Sequence, residues 1–207
     1  LVSDLPNSHR FCHVGINQYQ AGRTAGLLMS QSMPAEGDVI MISGRSDFSA
    51  HIQRISGFRD AITQRAPWLH LREVLAGEDE RQKIRTLLNQ ALLRSDSVVG
   101  LYNSGDNNSD ISAVLQQHQL AGRCCYITHE LYDVTRQLLQ TGALSYTLDQ
   151  NARQHAVLAT DLLIRHLEHG FVPDLYQDGR VELRIVTKGE KNASVLDDFL
   201  PRVAGLM

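Results

Sequence analysis

Hydrogen-bonding side chains stand directly behind apolar runs at several points of this chain. Asn103 follows Ser97–Tyr102, His129 follows Arg123–Thr128, and Asp149 follows Ser145–Leu148. Arg45, Asp47 and Phe48 follow Asp38–Ser43, and Glu78 follows Leu71–Leu75. An amide both donates and accepts, so Asn103 suits adjacent hydroxyls. The Asp149 carboxylate accepts two hydroxyl bonds with charge-assisted strength. The His129 imidazole bonds a hydroxyl, or an acid when protonated. Phe48, flanked by Arg45 and Asp47, suits the apolar face of a small ligand whose polar groups are bonded alongside. This is the chemistry of holding a small polar molecule. Each residue also has a plainer reading: Asn103 as an Asx turn, Asp149 as a helix N-cap, His129 paired with Glu130, and Phe48 tucked onto the following helix.

The runs that position these residues number six and begin with Phe11–Ile16. Each is apolar and β-branched, stops at a short polar turn and precedes a helical pattern. Strands alternating with helices in this way predict an α/β fold with parallel sheets. Ligands of open parallel sheets bind beyond the carboxyl ends of the strands. Helical periodicity predicts segments over Gln18–Met33, Ser49–Arg65, Glu78–Arg94, Ser109–Leu120, Leu131–Thr141 and Asn151–His169, with Gly122, Gly142 and Gly170 as terminators. The small residues Ala21, Gly22, Ala25 and Gly26 imply close packing of the first helix on a sheet. Val181–Thr187 reads as a late, partly exposed strand, and Ser194–Met207 has no clear pattern.

The 207 residues carry 43% hydrophobic and 21% charged side chains and a formal charge of −3. That charge leaves no basic footprint for nucleic acid on this segment. No apolar run approaches the ~18 residues of a membrane span. Cys12, Cys124 and Cys125 make a poor disulfide framework and fit a reducing compartment; the adjacent pair should face opposite sides of a strand. The first residue is Leu1 rather than Met, and no signal peptide is visible, so the segment is expected to start inside a longer protein or after processing. His166 and His169 read as a solvent-facing pair, and no metal or cofactor is implied. There is no GxGxxG after the first run, no GxSxG elbow and no nucleophile–base pair at obvious spacing, which argues against an enzyme.

Val14-Gly15-Ile16-Asn17 with Ala21-Gly22-Arg23-Thr24-Ala25 resembles a signature of LacI/GalR-type sugar-responsive repressors and the related periplasmic sugar-binding proteins. Gly44, Arg54-Ile55-Ser56-Gly57-Phe58, Tyr102-Asn103, Thr128-His129-Glu130-Leu131 and Leu148-Asp149-Gln150-Asn151 follow in the family's order. The resemblance implies a periplasmic-binding-protein-like I fold of two Rossmann-like lobes, with the N-terminal part of the first absent. Residues 1–35 and 144–170 would complete that lobe, and residues 36–143 and 171–207 would form the second. It also implies ligand contacts at Asn103, Asp149 and His129, with Phe48, Asp47, Arg45 and Glu78 as further candidates. The family's usual Arg ahead of the helix Gly is Ile52 here, so His51 or Arg45 would replace it.

The leading expectation is thus the effector-binding core of a cytoplasmic, homodimeric transcription regulator. It would sense a sugar or sugar derivative and control operator DNA binding through an absent helix-turn-helix head. The alternative is a periplasmic solute-binding protein of a sugar ABC transporter. Residues encoded upstream of Leu1 discriminate the two: a helix-turn-helix marks the first, a signal peptide the second.

Overall fold

Apolar runs with a polar residue at each end bury on both faces when strands neighbour them on either side and helices cover them. The computed structural model describes Asp4 and residues 8–45 and 47–189. In it Gly37–Ser43 (β1) is buried along its whole length. It lies parallel between Leu69–Ala76 (β2) and Val98–Asn103 (β3). Cys125–His129 (β4) and Tyr146–Asp149 (β5) extend the parallel sheet, and Arg184–Thr187 (β6) closes it antiparallel to β5. The strand order is β2-β1-β3-β4-β5-β6. The helices are Gln18–Ser32 (α1), Ser49–Arg65 (α2), Arg81–Leu93 (α3), Asn108–Gln117 (α4), Asp133–Thr141 (α5) and Ala152–His169 (α6).

Alternation along the strands divides the core into two layers. Ile40, Ile42, Leu101 and Tyr126 face Ile84, Leu88, Ile111, Val114 and Leu139 of α3, α4 and α5. Val39, Met41, Tyr102 and Ile127 face Met29, Ile55, Phe58 and Ile62 of α1 and α2. Cys124 falls in the first layer and Cys125 in the second, so the free thiols do lie on opposite faces. Gly142 and Gly170 end α5 and α6 at φ 79° and 66°, where a Cβ would be strained.

Two expectations are altered. Phe11–Ile16 is not a ladder strand: its one bridge joins Gly15 to Arg180. The segment is held by the 175–181 stretch, His13 N–H donating to Leu175 at 3.0 Å and Gly15 N–H to Gly179 at 3.0 Å. A ladder needs a continuous neighbour, and none stands beside it among the described residues. The expected boundary at residue 35 also fails to match a break in packing. Ala25 and Met29 of α1 share a core with β1, whereas Val14, Ile16, Ala21, Leu162 and Val181 form a separate small cluster. The tail 194–207 lies outside the described residues.

α1 and α2 touch through glycine. A Cβ on Gly22 would stand 1.9 Å from the Arg54 carbonyl oxygen, and one on Gly57 would stand 2.1 Å from that of Tyr19. Both neighbours are backbone and cannot rotate away. Gly57→Ala should therefore destabilise the protein by about 1–3 kcal/mol or more, read as a lower urea midpoint at unchanged slope. A midpoint at or above that of the parent would contradict the close approach.

Candidate functional site

The loops after β1, β2, β3 and β4 meet at the carboxyl end of the sheet. Backbone bonds lace them together: Gly77 N–H donates to Ser43 (2.9 Å), Glu78 N–H to Gly44 (3.2 Å) and Ser104 N–H to Ile42 (2.9 Å). A Cβ on Gly105 would stand 2.7 Å from Gly44 N, so the β1 and β3 loops lie backbone to backbone. Above them opens a cavity of about 620 Å³. Arg54 and His51 line it from α2 and Asp79 from the β2 loop; Ser104, Gly105, Asp106 and Asn107 line it from the β3 loop. His129, Glu130 and Tyr132 complete it after β4. Glu78, Asp79, Asn107, Glu130 and Asn151 have left-handed backbones, φ 52° to 68°, in loops at this same end. Such conformations cost about 1–3 kcal/mol each and gather where a site needs its loops held out of their relaxed shapes.

Arg54 is 5% exposed and cannot shed its proton. Its Nε donates to Gln18 Oε1 at 2.7 Å and its Nη1 to the Ser104 carbonyl at 3.0 Å. Gln18 Nε2 in turn donates to Gln150 Oε1 at 3.0 Å, and Gln150 Nε2 donates to Glu130 Oε1. Cation and carboxylate are thus joined through two amides whose dipoles run head to tail. Gln18 opens α1, and Gln150 sits between β5 and α6. Burial pushes the Glu130 carboxyl up, opposed by the Gln150 bond and the Arg54 charge.

Both histidines are held neutral. Burial lowers His51 and His129, and the Arg54 charge adds to each. His51 Nδ1 bonds the Ser104 carbonyl at 2.9 Å, so that nitrogen carries the proton. His129 is 1% exposed, and its Nε2 lies 2.8 Å from the Tyr102 hydroxyl. That hydroxyl has no other partner among the described residues, so it donates to Nε2 and the imidazole proton resides on Nδ1. His129 Nδ1 has no hydrogen-bond partner among the described residues. The site therefore offers carboxylate acceptors together with a buried, unanswered N–H.

Of the residues expected from sequence, His129 lines the cavity. Asn103 lies beneath it, fully buried, donating to the Asp106 carbonyl (2.8 Å) and Asn108 Oδ1 (2.9 Å) and accepting from Gly105 N–H (3.0 Å). Asn108 also accepts from Tyr126 and Thr128 and donates to Tyr132, whose hydroxyl donates to Asp106 at 2.9 Å. Asn103 thus builds the floor and the loop. Asp149 stands outside the lining, 3.8 Å from Arg184; the α6 cap is Asn151, which accepts from Gln154 N–H. Arg45 pairs with Asp47 at 2.7 and 3.0 Å and lies 5.1 Å over the Phe48 ring. Phe48 stacks on His51 at 5.9 Å, so this exposed trio meets the cavity through His51. Glu78 lies next to Asp79, which does line it. Sequence reasoning missed Arg54, Asp79, Glu130 and Tyr132 as lining residues. A signal existed for Arg54: it is a charge on the apolar stripe of Ile55, Phe58 and Ile62.

A family profile described as "Periplasmic binding protein domain" matches residues 1–170. Among solved structures, a glucose-galactose binding protein from Geobacillus stearothermophilus superposes with a TM-score of 0.81 at 20% identity, over 90% of this chain and 66% of that one. A sugar-binding protein of a sugar ABC transporter from Bacillus halodurans gives 0.81 at 23%, over 89% and 67%. An ABC transporter solute-binding protein from Burkholderia graminis, in complex with D-arabinose, gives 0.83 at 20%, over 93% and 67%. The chain thus spans about two thirds of the length of these proteins. No curated protein matches it.

These findings correct the leading functional expectation. The matching profile and these neighbours are those of solute-binding proteins, which overturns the repressor and DNA-binding reading and its cytoplasmic location. The expected operator and second protomer rested on that reading and fall with it. The fold expectation stands: an α/β, periplasmic-binding-protein-like architecture with a six-stranded, mostly parallel sheet.

The lowered imidazoles fix a sign for pH. A group depressed on folding adds stability above its ordinary value of 6.5, and that stability is lost as pH falls through the depressed values. Glu130 acts oppositely: its raised carboxyl adds stability below 4.5, lost as pH rises through its folded value. The melting temperature should thus fall from about pH 6.5 downwards, less so in His129→Asn. Equal slopes in variant and parent would contradict the buried neutral imidazole. Gln150→Leu, which leaves Glu130 and Gln18 without their amide partner, should cost about 2–4 kcal/mol of unfolding free energy. A change below about 0.5 kcal/mol would dissolve the bridge.

Proposed function

Because this chain belongs to the periplasmic binding protein domain family, we propose that it is the ligand-capturing part of a solute-binding protein working outside the cytoplasm. In this reading it holds a small sugar for an ABC-type transporter and carries out no covalent chemistry. The observation that carries it is the cavity at the carboxyl ends of β1 to β4. Its lining pairs charge-assisted acceptors (Asp79, Asp106 and Glu130) with the unanswered His129 N–H.

Ring hydroxyls donate to the carboxylates, and a ligand oxygen accepts from His129 Nδ1. Each charge-assisted bond contributes about 1.5–3 kcal/mol in such a site, so a few of them hold a small, hydrophilic molecule. The Tyr132 ring offers an apolar edge to the C–H face of a sugar. The segments at residues 17–18 and 149–151 serve as crossings between two lobes, with α1 packed in the same lobe as β1. Their glutamines, bonded to each other and to lining residues, let the ligand bias how the crossings sit. Asn103 supports the β3 loop, and the Arg45–Asp47–Phe48 trio meets the ligand, if at all, at the rim beside His51.

Calorimetry with D-arabinose, D-galactose, D-glucose and D-xylose tests the reading. At least one should bind with a dissociation constant of about 1 mM or tighter. His129→Phe should weaken that sugar about tenfold or more, since one buried donor is removed. Affinity unchanged in His129→Phe, in protein shown folded by circular dichroism, would move the ligand elsewhere.

A further inference from the structure

The cavity lining carries unequal numbers of positive and negative groups. Among the described residues Arg54 is its one guanidinium, while Asp79, Asp106 and Glu130 are three carboxylates. Arg54 turns Nε and Nη1 inward, to Gln18 and to the Ser104 carbonyl, and its charge is answered by Glu130 through the two amides. Asp106 receives one hydroxyl donor, from Tyr132. No described residue donates a hydrogen bond to the Asp79 carboxylate.

The other nearby cations among the described residues make their hydrogen bonds away from the lining carboxylates, although the Arg45 charge reaches Asp79. Arg45 is bound to Asp47 on the exposed side of Phe48, and Arg81 and Arg85 converge on Asp110. Arg184 stands by Asp149, outside the lining. His51 and His129 are held uncharged by burial and by Arg54. The acidic lining is not the sole feature of the site. His129, 99% buried by its 1% exposure, brings a nitrogen with no partner among the described residues.

We infer that the cavity selects by charge: it takes a neutral or amine-bearing sugar and rejects sugar acids and sugar phosphates. An ammonium in place of a hydroxyl gains the attraction of Asp79 and Asp106 while still donating hydrogen bonds. A carboxylate or phosphate meets the Asp79 and Asp106 carboxylates, neither of them hydrogen-bonded to a cation among the described residues, and Arg54 has its Nε and Nη1 committed elsewhere. This inference rests on the sugar-binding reading above and narrows it to a ligand class.

The test compares matched sets by calorimetry on the whole protein: D-galactose, D-galactosamine and D-galacturonate, and the corresponding glucose series. The amine should bind at least as tightly as the neutral sugar, and the uronate at least about tenfold more weakly, with the gap narrowing at high salt. Asp79→Asn, which tolerates the left-handed backbone at φ 61°, should shrink the neutral-to-uronate ratio about threefold or more. A uronate that binds as tightly as its neutral parent overturns the inference and leaves the sugar-binding reading intact. Binding by none of the six, and by none of the sugars named above, overturns the sugar-binding reading itself.

Discussion

A guanidinium buried under a cavity needs acceptors on every side it presents, and this requirement organises the structure around Arg54. The Gln18 carboxamide and the Ser104 carbonyl meet it, and the amide chain runs on through Gln150 to Glu130. Leaving such a charge unpaired costs several kcal/mol, so the elements that carry its partners must arrive together. Gln18 reaches Arg54 because α1 rests on α2 with no side chain between them at Gly22 and Gly57. Gln150 and Glu130 reach each other because β4 and β5 are neighbours in register, His129 opposite Leu148. The binding surface is the upper side of this same arrangement.

Much of the scaffold was legible in the sequence because it is local. Five of the six apolar runs became the parallel strands, and α2 spans Ser49–Arg65 as its periodicity and the following Pro67 require. The small face of α1 was legible too, although it packs on α2 as well as on the sheet. Phe11–Ile16 misled because a β-branched run reports a tendency, while a ladder needs a partner strand, and among the described residues this run has only the Gly15–Arg180 bridge. The site was less legible. Asn103 has the right type and place, yet Asp106, Gly105 and Asn108 use both ends of its amide. Gln150, in sequence only one position of the Leu148–Asn151 motif, carries the charge bridge from Gln18 to Glu130. Whether a polar side chain faces inward or into the cavity depends on partners dozens of residues away, and spacing does not carry that information. The functional error has a different source: repressors and solute-binding proteins share one fold, and fold does not decide use.

The cavity is acidic and its loops are constrained. Its loops hold left-handed residues and are tied by backbone bonds, so its acceptors are positioned before a ligand arrives. Its histidines stay neutral and act as fixed hydrogen-bonding groups. Ordering is therefore largely complete in advance, and a small hydrophilic molecule can be held by a few well-placed bonds.

Amide chemical shifts followed during titration with the tightest-binding of the tested sugars test the central claim most directly. Saturable changes should concentrate at residues 51, 54, 79, 104–107, 129, 130 and 132, which line the cavity, and extend to Gln18 and Gln150 through the amide chain. Saturable changes confined to α6 or to the surface of α3, with the loops beyond β1 to β4 silent, would show that the ligand sits elsewhere and would contradict the account.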